Sequence, residues 1–393
     1  MAPLNSARRR TFLPFHLPSI GEEEVAAVCH TLRSGWLTSG PKVAQFEHAF
    51  AEALGVRHAI AVNSCTAALH LALEAIGVKQ GDEVIVPTMT FTATAEAALH
   101  LHACPVLADS SPDSINMDPE SFRRAITPRT KAVIPVHYAG NPCEMDLIRS
   151  IAAERGIAVI EDAAHGFPAS YKGRPVGRLG HAACFSFYAT KTITTGEGGM
   201  VVTDDDRLAE HARSRRLHGI SRDAWRRKKG GNDWRYDIPV SGFKCNMTDI
   251  AAAIGIEQLR RTGELTARRR EIAAAYRAGL AALPFVSLFK TSSFASSSDH
   301  LFIVRLELER LAIDRDRFFD LLIERNIGVG VHPIPLHEFS YYREEFGYRS
   351  EQFPVATDLF SRILSLPIYP GMTDEDVADV LSAVREVAAE HAR

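Results

Sequence analysis

The 393-residue sequence predicts an α/β fold in two parts: a large domain on a mostly parallel sheet, then a smaller α+β domain at the C-terminus. Three observations carry this expectation. Over the first two thirds, short β-branched runs alternate with helix-like segments such as Thr66–Ile76 and Thr92–Leu101. The runs are nearly continuous in apolar residues, as strands covered on both faces are. From about Leu259 the pattern shifts to a long helix and a few isolated strands, and the chain is too long for one small core.

Ahead of the strands, "SIGEEEVAAVCHTL" has Ser19 and Glu22 at capping-box spacing, with Val25, Val28 and Leu32 at helical intervals. A second helix after Pro41 carries Val43, Phe46, Phe50 and Leu54 on one face. The predicted strands follow in order: "HAIAVNS", "DEVIVPT", "CPVLADS", "KAVIPVHYAG", "IAVIEDAAH", "ACFSFYA" and "GGMVVTDD". The division is placed at 1–258 for the large domain and 259–393 for the small one. The small domain opens on "LTARRREIAAAYRAGLAAL", includes the strand "HLFIVRLEL" and ends in a helix capped by Thr373 and Asp376, with Val377, Val380, Leu381 and Val384 facing inward. The serine-rich "KTSSFASSSD" reads as a loop within it.

Composition excludes several classes of function. The apolar fraction of 46% and charged fraction of 24% are those of a globular protein, and 48 acidic residues balance 45 basic ones. No nucleic-acid partner is expected, and the clusters Arg8–Arg10, Arg226–Lys229 and Arg268–Arg270 read as solvated faces. Six scattered cysteines without a C-x-x-C pair argue for reduced thiols and no metal site. No stretch approaches the ~20 apolar residues of a membrane span, and the broken apolar start is a poor signal peptide. A cytoplasmic location is expected.

Open parallel sheets bind ligands beyond the carboxyl ends of their strands, so polar residues there are the informative ones. In "FSFYATKTITTGEGG", Lys191 follows an aromatic run and is ringed by Ser186, Thr190, Thr192, Thr194, Thr195 and three glycines. Hydroxyls and approachable backbone around one lysine suit a phosphorylated ligand, and a lysine shielded from water has a lowered pKa and can form a Schiff base. Pyridoxal phosphate needs these together with an acid for its ring nitrogen. Asp162, at the end of "AVIED", is the acid candidate, or else a cap for the next element; Glu161 reads as structural. His165 follows one short turn later, where it is as readily incidental as functional. "NSCTAAL" begins a helix at Thr66 and Ala67, an anion site by its free N–H groups and dipole, with ordinary capping by Ser64 or Thr66 as the alternative. Phe91, three residues past its strand, can stack on a planar ring, although alone it reads as core.

The order of these signals, with Lys191 29 residues after Asp162, resembles the DegT/DnrJ/EryC1/StrS family of PLP-dependent sugar aminotransferases. The likeness spans nearly the whole chain through "FLPFHLPSIGEEEV", "SGWLTSGPKV", "GDEVIVPTMTFTAT", "VIPVHYAG", "VIEDAAHG", "FSFYATKTITTGEGG" and "GFKCNMTDIAAAIGIEQL". It implies the aspartate aminotransferase type of fold (fold type I). It further implies that Lys191 forms the Schiff base, Asp162 meets the pyridine nitrogen, Phe91 stacks on the ring, and Thr66, Ala67 and Ser186 hold the phosphate. His165 is then expected beside the phenolate oxygen. The segment Gly242–Asp249 is expected to reach the cofactor of a neighbouring subunit, which implies a homodimer with shared sites and makes Lys244 and Asn246 phosphate-side residues. In "GVGVHPIPLHEFSYY", His332 and His337 become candidates for contacting a sugar nucleotide.

The implied reaction moves the amino group of L-glutamate onto a nucleotide-linked 4-keto sugar. Stretches such as "RSGWLTSGP" and "HLFIVRL" are similar to the subgroup that aminates UDP-4-keto-L-arabinose. Cys65 stands where many members have Gly, and Phe91 where that subgroup has Trp. A PLP-dependent sugar dehydratase is disfavoured because Lys191 is present, and an aromatising aminohydroxybenzoate-type synthase remains as an alternative. A silent binding or regulatory protein would be expected to lose Lys191 or Asp162, and neither is lost. A nicotinamide enzyme lacks its G-x-G-x-x-G after the first strand.

Overall fold

A computed structural model describes residues 9–221, 236–290 and 293–393. Arg8, the basic run Arg226–Lys229 and part of the serine-rich loop lie outside these residues.

Two helices precede the sheet: α1 (Glu22–Ser34) and α2 (Pro41–Leu54). The start of α2 is capped from far along the chain, since Asp249 accepts from the N–H groups of Gly40 (2.8 Å), Lys42 (3.1 Å) and Val43 (2.9 Å). Val43, Phe46, Phe50 and Leu54 are buried as their spacing predicts. α1 departs from expectation. Its N-cap is Gly21, to which Glu24 reaches back (2.7 Å), and not Ser19. The buried residues of α1 are Glu24 and Thr31, while Val25 and Leu32 are about half exposed, at 48% and 50%. Glu24 is drawn inward by Arg261 (3.0 Å) and Gln258 (2.7 Å), which turns the apolar stripe outward.

The main sheet contains β1 (His58–Val62), β2 (Glu83–Pro87), β3 (Cys104–Ala108), β4 (Thr130–Val133), β5 (Ala158–Asp162), β6 (Ala182–Ser186) and β7 (Gly199–Thr203), in the order β1-β7-β6-β5-β4-β2-β3. Every pairing is parallel except those of β7, which is antiparallel to both neighbours. The connecting helices α3 (Cys65–Ala75), α4 (Ala93–Leu99), α5 (Pro119–Ala125), α6 (Met145–Ala153) and α7 (Asp206–Arg215) pack against the sheet, joined by α8 (Asp249–Arg260). Two apolar cores result, one on each face. One gathers Phe46, Phe50, Ile148, Phe185, Phe187 and Ile256, and the other Val62, Leu69, Leu73, Val86, Ile134 and Ile160. All carboxyl ends of the parallel strands therefore open on one edge.

The C-terminal part, expected from the sequence as a small domain, contains α9 (Thr262–Leu280) and an antiparallel sheet, β8 (Val286–Leu288), β9 (Phe302–Leu306) and β10 (Ile363–Leu366), with β9 central. It also holds α10 (Arg315–Glu324), α11 (Ser340–Phe346), α12 (Pro354–Arg362) and α13 (Asp374–Glu390). The Thr373–Asp376 capping box of α13 is present, and Val377, Val380 and Val384 are buried. Its core includes Leu13, whose backbone is paired with Asn326 (2.8 Å) and Gly328 (2.7 Å), so the N-terminal arm lies on the small domain.

Candidate active site

Lys191 is half-buried on the loop after β6, five residues beyond its last residue, Ser186. A floor of aromatic rings supports this loop: Phe50 meets Phe185 at 5.1 Å and Phe187 at 5.4 Å, and Phe46 meets Phe187 at 5.2 Å. The loop's hydroxyls do not all serve a ligand, contrary to their reading in the sequence. Thr192 donates to the Phe167 carbonyl (2.7 Å), Thr194 to that of Phe187 (3.0 Å) and Thr195 to that of Glu197 (2.7 Å). These bonds shape the turn, as does the Tyr188 N–H donated to Ser186 Oγ (3.3 Å), which leaves the Ser186 hydroxyl proton for another partner. Burial lowers the Lys191 pKa to about 8, against the opposing pull of Cys65 and Asp162.

Asp162 ends β5 and is 5% exposed. One oxygen accepts from Thr94 Oγ1 (2.8 Å), the other from the Ala164 N–H (3.1 Å). Thr90 and Thr94 hydroxyls are 2.7 Å apart, and since Thr94 spends its proton on Asp162, Thr90 is the donor between them. Burial raises the Asp162 pKa, while those two bonds and Lys191 favour the carboxylate. The cap reading of Asp162 is met by the Ala164 N–H, and its carboxylate lies within electrostatic reach of Lys191. Glu161 points to the other side of the sheet, fully buried, and accepts from the N–H groups of Gly177 (3.1 Å), Leu179 (2.8 Å) and Gly180 (2.8 Å) beside His137 (2.9 Å). Its role is structural.

The anion candidate lies next to this pair. Helix α3 begins at Cys65 with Ser64 as N-cap, whose hydroxyl takes the Ala67 N–H (3.1 Å). Gly199 of β7 pairs with Val62 on one side and Ser186 on the other. A Cβ on Gly199 would sit 2.4 Å from Ser64 and 2.6 Å from the Cys65 nitrogen, so only glycine lets β7 pass under the start of α3. That close approach brings Thr66, Ala67 and Ser186 to one corner. Phe91 precedes α4 and is 76% exposed, so the core reading fails, and its ring stands free at the strand edge.

Four imidazoles surround Lys191, only two of them legible in the sequence. His165 accepts the Ala139 N–H at Nδ1 (3.3 Å), and its ring lies 4.3 Å from that of His300. His332 stacks on Phe15 (5.1 Å) and meets Ser365 (3.2 Å). His16 comes from the N-terminal arm, packed edge-on to Tyr369 (5.9 Å). Burial drives all four toward the neutral form, with Lys191 adding to the effect. His16 falls to about 4, with the Arg269 guanidinium also contributing. His16, Thr94 and His300 lie inside stretches that carry the family likeness, but nothing local marks their side chains as part of the site, because they come from the arm, a helix start and the small domain, which only folding brings together.

His337 must be corrected. It is fully buried, its ring nitrogens meet Thr88 (2.7 Å) and Thr357 (3.1 Å), and its face stacks on Phe353 (4.8 Å). It joins the two domains and faces no cleft. Lys244 and Asn246 bond to each other, and Asn246 to Ser39 (2.6 Å). They lie alongside the β1 edge, where Asn63 donates to the Cys245 carbonyl (2.7 Å), and are not joined to Lys191 or Asp162 of their own chain.

The donor set fits a pyridoxal phosphate group, with a low-pKa lysine, a buried aspartate across from it and a helix start opened by Gly199. Comparison with known proteins agrees. The chain is 46% identical to the spore coat polysaccharide biosynthesis protein SpsC of Bacillus subtilis, over 97% of this chain and 98% of that one. Among solved structures it matches Spr1654 of Streptococcus pneumoniae, described as a sugar aminotransferase and solved in PLP and PMP forms. The PMP form gives a TM-score of 0.91 at 33% identity, covering 96% and 99% of the two chains. DesI, solved in the presence of its TDP-sugar product, matches with a TM-score of 0.85 at 35% identity, covering 97% and 95%. Residues 18–385 match the model of the DegT/DnrJ/EryC1/StrS aminotransferase family, and the chain belongs to that family.

Proposed function

We propose that this protein is a pyridoxal-phosphate aminotransferase that moves the amino group of L-glutamate onto a nucleotide-linked 4-keto sugar. The observation that carries the reading is Lys191, with its pKa near 8, opposite the doubly bonded carboxylate of Asp162. When bound, pyridoxal phosphate supplies an aldehyde for amines and an electron sink for the carbon that gives up its proton. Lys191 provides the amine that holds the cofactor and, once displaced by the donor, a base that moves a proton at the donor's Cα. Asp162 keeps the ring nitrogen protonated. Ser186, Thr66 and Ala67 receive the phosphate at the positive end of α3. His165 bonds the phenolate oxygen, Phe91 covers the ring, and His332 contacts the sugar nucleotide.

A homodimer with shared sites belongs to the same reading. Tyr236, Ile238, Val240 and Phe243 lie exposed along the stretch leading to Lys244, and Val25 and Leu32 are exposed on α1. These apolar surfaces suit a second copy, whose Lys244 and Asn246 would serve the phosphate of this one. The nucleotide-sugar assignment draws on DesI, whose product is a TDP-sugar. All six cysteines are free, in keeping with a cytoplasmic enzyme.

The test is the visible absorbance of the purified protein. Bound cofactor should give a yellow band that bleaches with L-glutamate, returns with the correct keto-sugar nucleotide, and is missing in Lys191→Ala. A protein that stays colourless with added pyridoxal phosphate would sink the proposal.

A further inference from the structure

We propose that Ser298 and His300 of the small domain are positioning residues for His165, holding its ring so that Nε2 and not Nδ1 carries the proton. The inference rests on the aminotransferase reading only for what that proton then does, which is to meet the cofactor's phenolate oxygen.

The geometry begins at the turn after β4. Ala139 N–H can only donate, so the His165 Nδ1 it reaches is an acceptor and the neutral ring is protonated at Nε2. At 3.3 Å this bond is long, and small movements of the turn would break it. The turn is also strained: Ala139 has φ +56° and Gly140 φ +89°, a region a residue with a Cβ enters only when its surroundings hold it there.

What holds it comes from the small domain. Ser298 N–H donates to the Gly140 carbonyl (3.1 Å), Leu301 N–H to the Ala139 carbonyl (3.4 Å), and Ser298 Oγ to the carbonyl of His165 itself (2.7 Å). Gly140 is indispensable to this contact, because a Cβ there would sit 1.9 Å from Ser298 Oγ. His300 then lays its ring at 4.3 Å and 42° on His165, with Tyr138 edge-on at 5.5 Å. His300 is 4% exposed and its Nδ1 has no partner among the described residues, so its nitrogen is not what secures it there. Its contribution is the ring face it sets against His165. The tautomer of a large-domain residue is thereby tied to the seating of the small domain.

The first readout needs no cofactor. Nitrogen-15 NMR of histidine-labelled, cofactor-free protein, assigned with His165→Gln, should show His165 protonated at Nε2. Ser298→Ala and His300→Ala should shift that signal toward a tautomer mixture, and His300→Phe, which keeps a ring face, should restore it. In the loaded enzyme the same two alanine variants should lose about tenfold in kcat for the L-glutamate half-reaction, with KM changed less than twofold. Ser298→Ala deletes one oxygen, which makes it the variant most certain to fold. An unshifted His165 signal in both alanine variants overturns the proposal whatever the turnover. A shifted signal in a protein that never reacts with any amino acid would uphold the positioning role and refute the aminotransferase reading instead.

Discussion

Replacing Thr94 by valine removes one oxygen and almost nothing else, since the two side chains have nearly the same shape. In this fold that oxygen is the donor to Asp162 at 2.8 Å, with Thr94 1% and Asp162 5% exposed. A hydrogen bond to a charged group contributes about 1.5–3 kcal/mol, and burial at both ends leaves little solvent to replace it. If the bond supports the charged form that holds the cofactor's ring nitrogen, the L-glutamate half-reaction should slow by roughly tenfold to 150-fold. Thr94→Ser keeps the hydroxyl and should recover most of the rate. Thr90→Val removes only the next link in the chain, at 2.7 Å, and should cost less, about two- to tenfold for a neutral bond. Stopped-flow recording of the visible band gives the rate, and circular dichroism checks the fold. A folded Thr94→Val protein within twofold of wild type would refute the assignment of Asp162 as the electrostatic partner of the ring.

Two further outcomes follow from other parts of the site. With Lys191 near pKa about 8, about half of its amine is neutral at pH 8, against about 0.3% for an ordinary lysine. Uptake of pyridoxal phosphate by the cofactor-free protein should rise up to about pH 8 and then level, whereas a rate still climbing toward pH 10 would contradict the burial. The folded pKa lies below the unfolded one, so the unfolded chain binds the extra proton between pH 8 and about 10.5. Denaturant unfolding should accordingly show this group adding stability to the cofactor-free protein as pH rises through that window. His332→Ala should raise KM for the sugar nucleotide without loss of stability. His337→Ala should do the opposite, destabilising the fold by about 2–4 kcal/mol through two lost buried bonds and a ring contact, with KM unchanged. An altered KM in a stable His337→Ala protein would restore that histidine to the substrate site.

How much was legible in the sequence differs between residues for physical reasons. Lys191, Asp162, Ser186 and the start of α3 all sit at strand ends or on the loops just beyond, and a parallel sheet carries such ends to one edge whatever the rest of the chain does. Local pattern therefore located them. His337 and the α1 stripe show the limit of the same reasoning. Periodicity reports that Val25 and Leu32 share a face, but Arg261 and Gln258, more than 230 residues away, decide that Glu24 is the buried side. A histidine in a motif loop likewise carries no mark of whether it turns to the cleft or into the seam between domains.

By itself, the sequence determined the sheet, the order of its strands' functional ends, the lysine–aspartate pair and the family to which they belong, because each is written in contiguous residues. Tertiary structure alone decided which hydroxyls stay free of the loop, which oxygen holds Asp162, and that His16 and His300 join His165 around the lysine. Those contacts join the N-terminal arm, the large domain and the small domain. The histidine contacts depend on desolvation and packing between segments more than a hundred residues apart, and Thr94 reaches Asp162 across 68 residues, separations over which local pattern contains no signal.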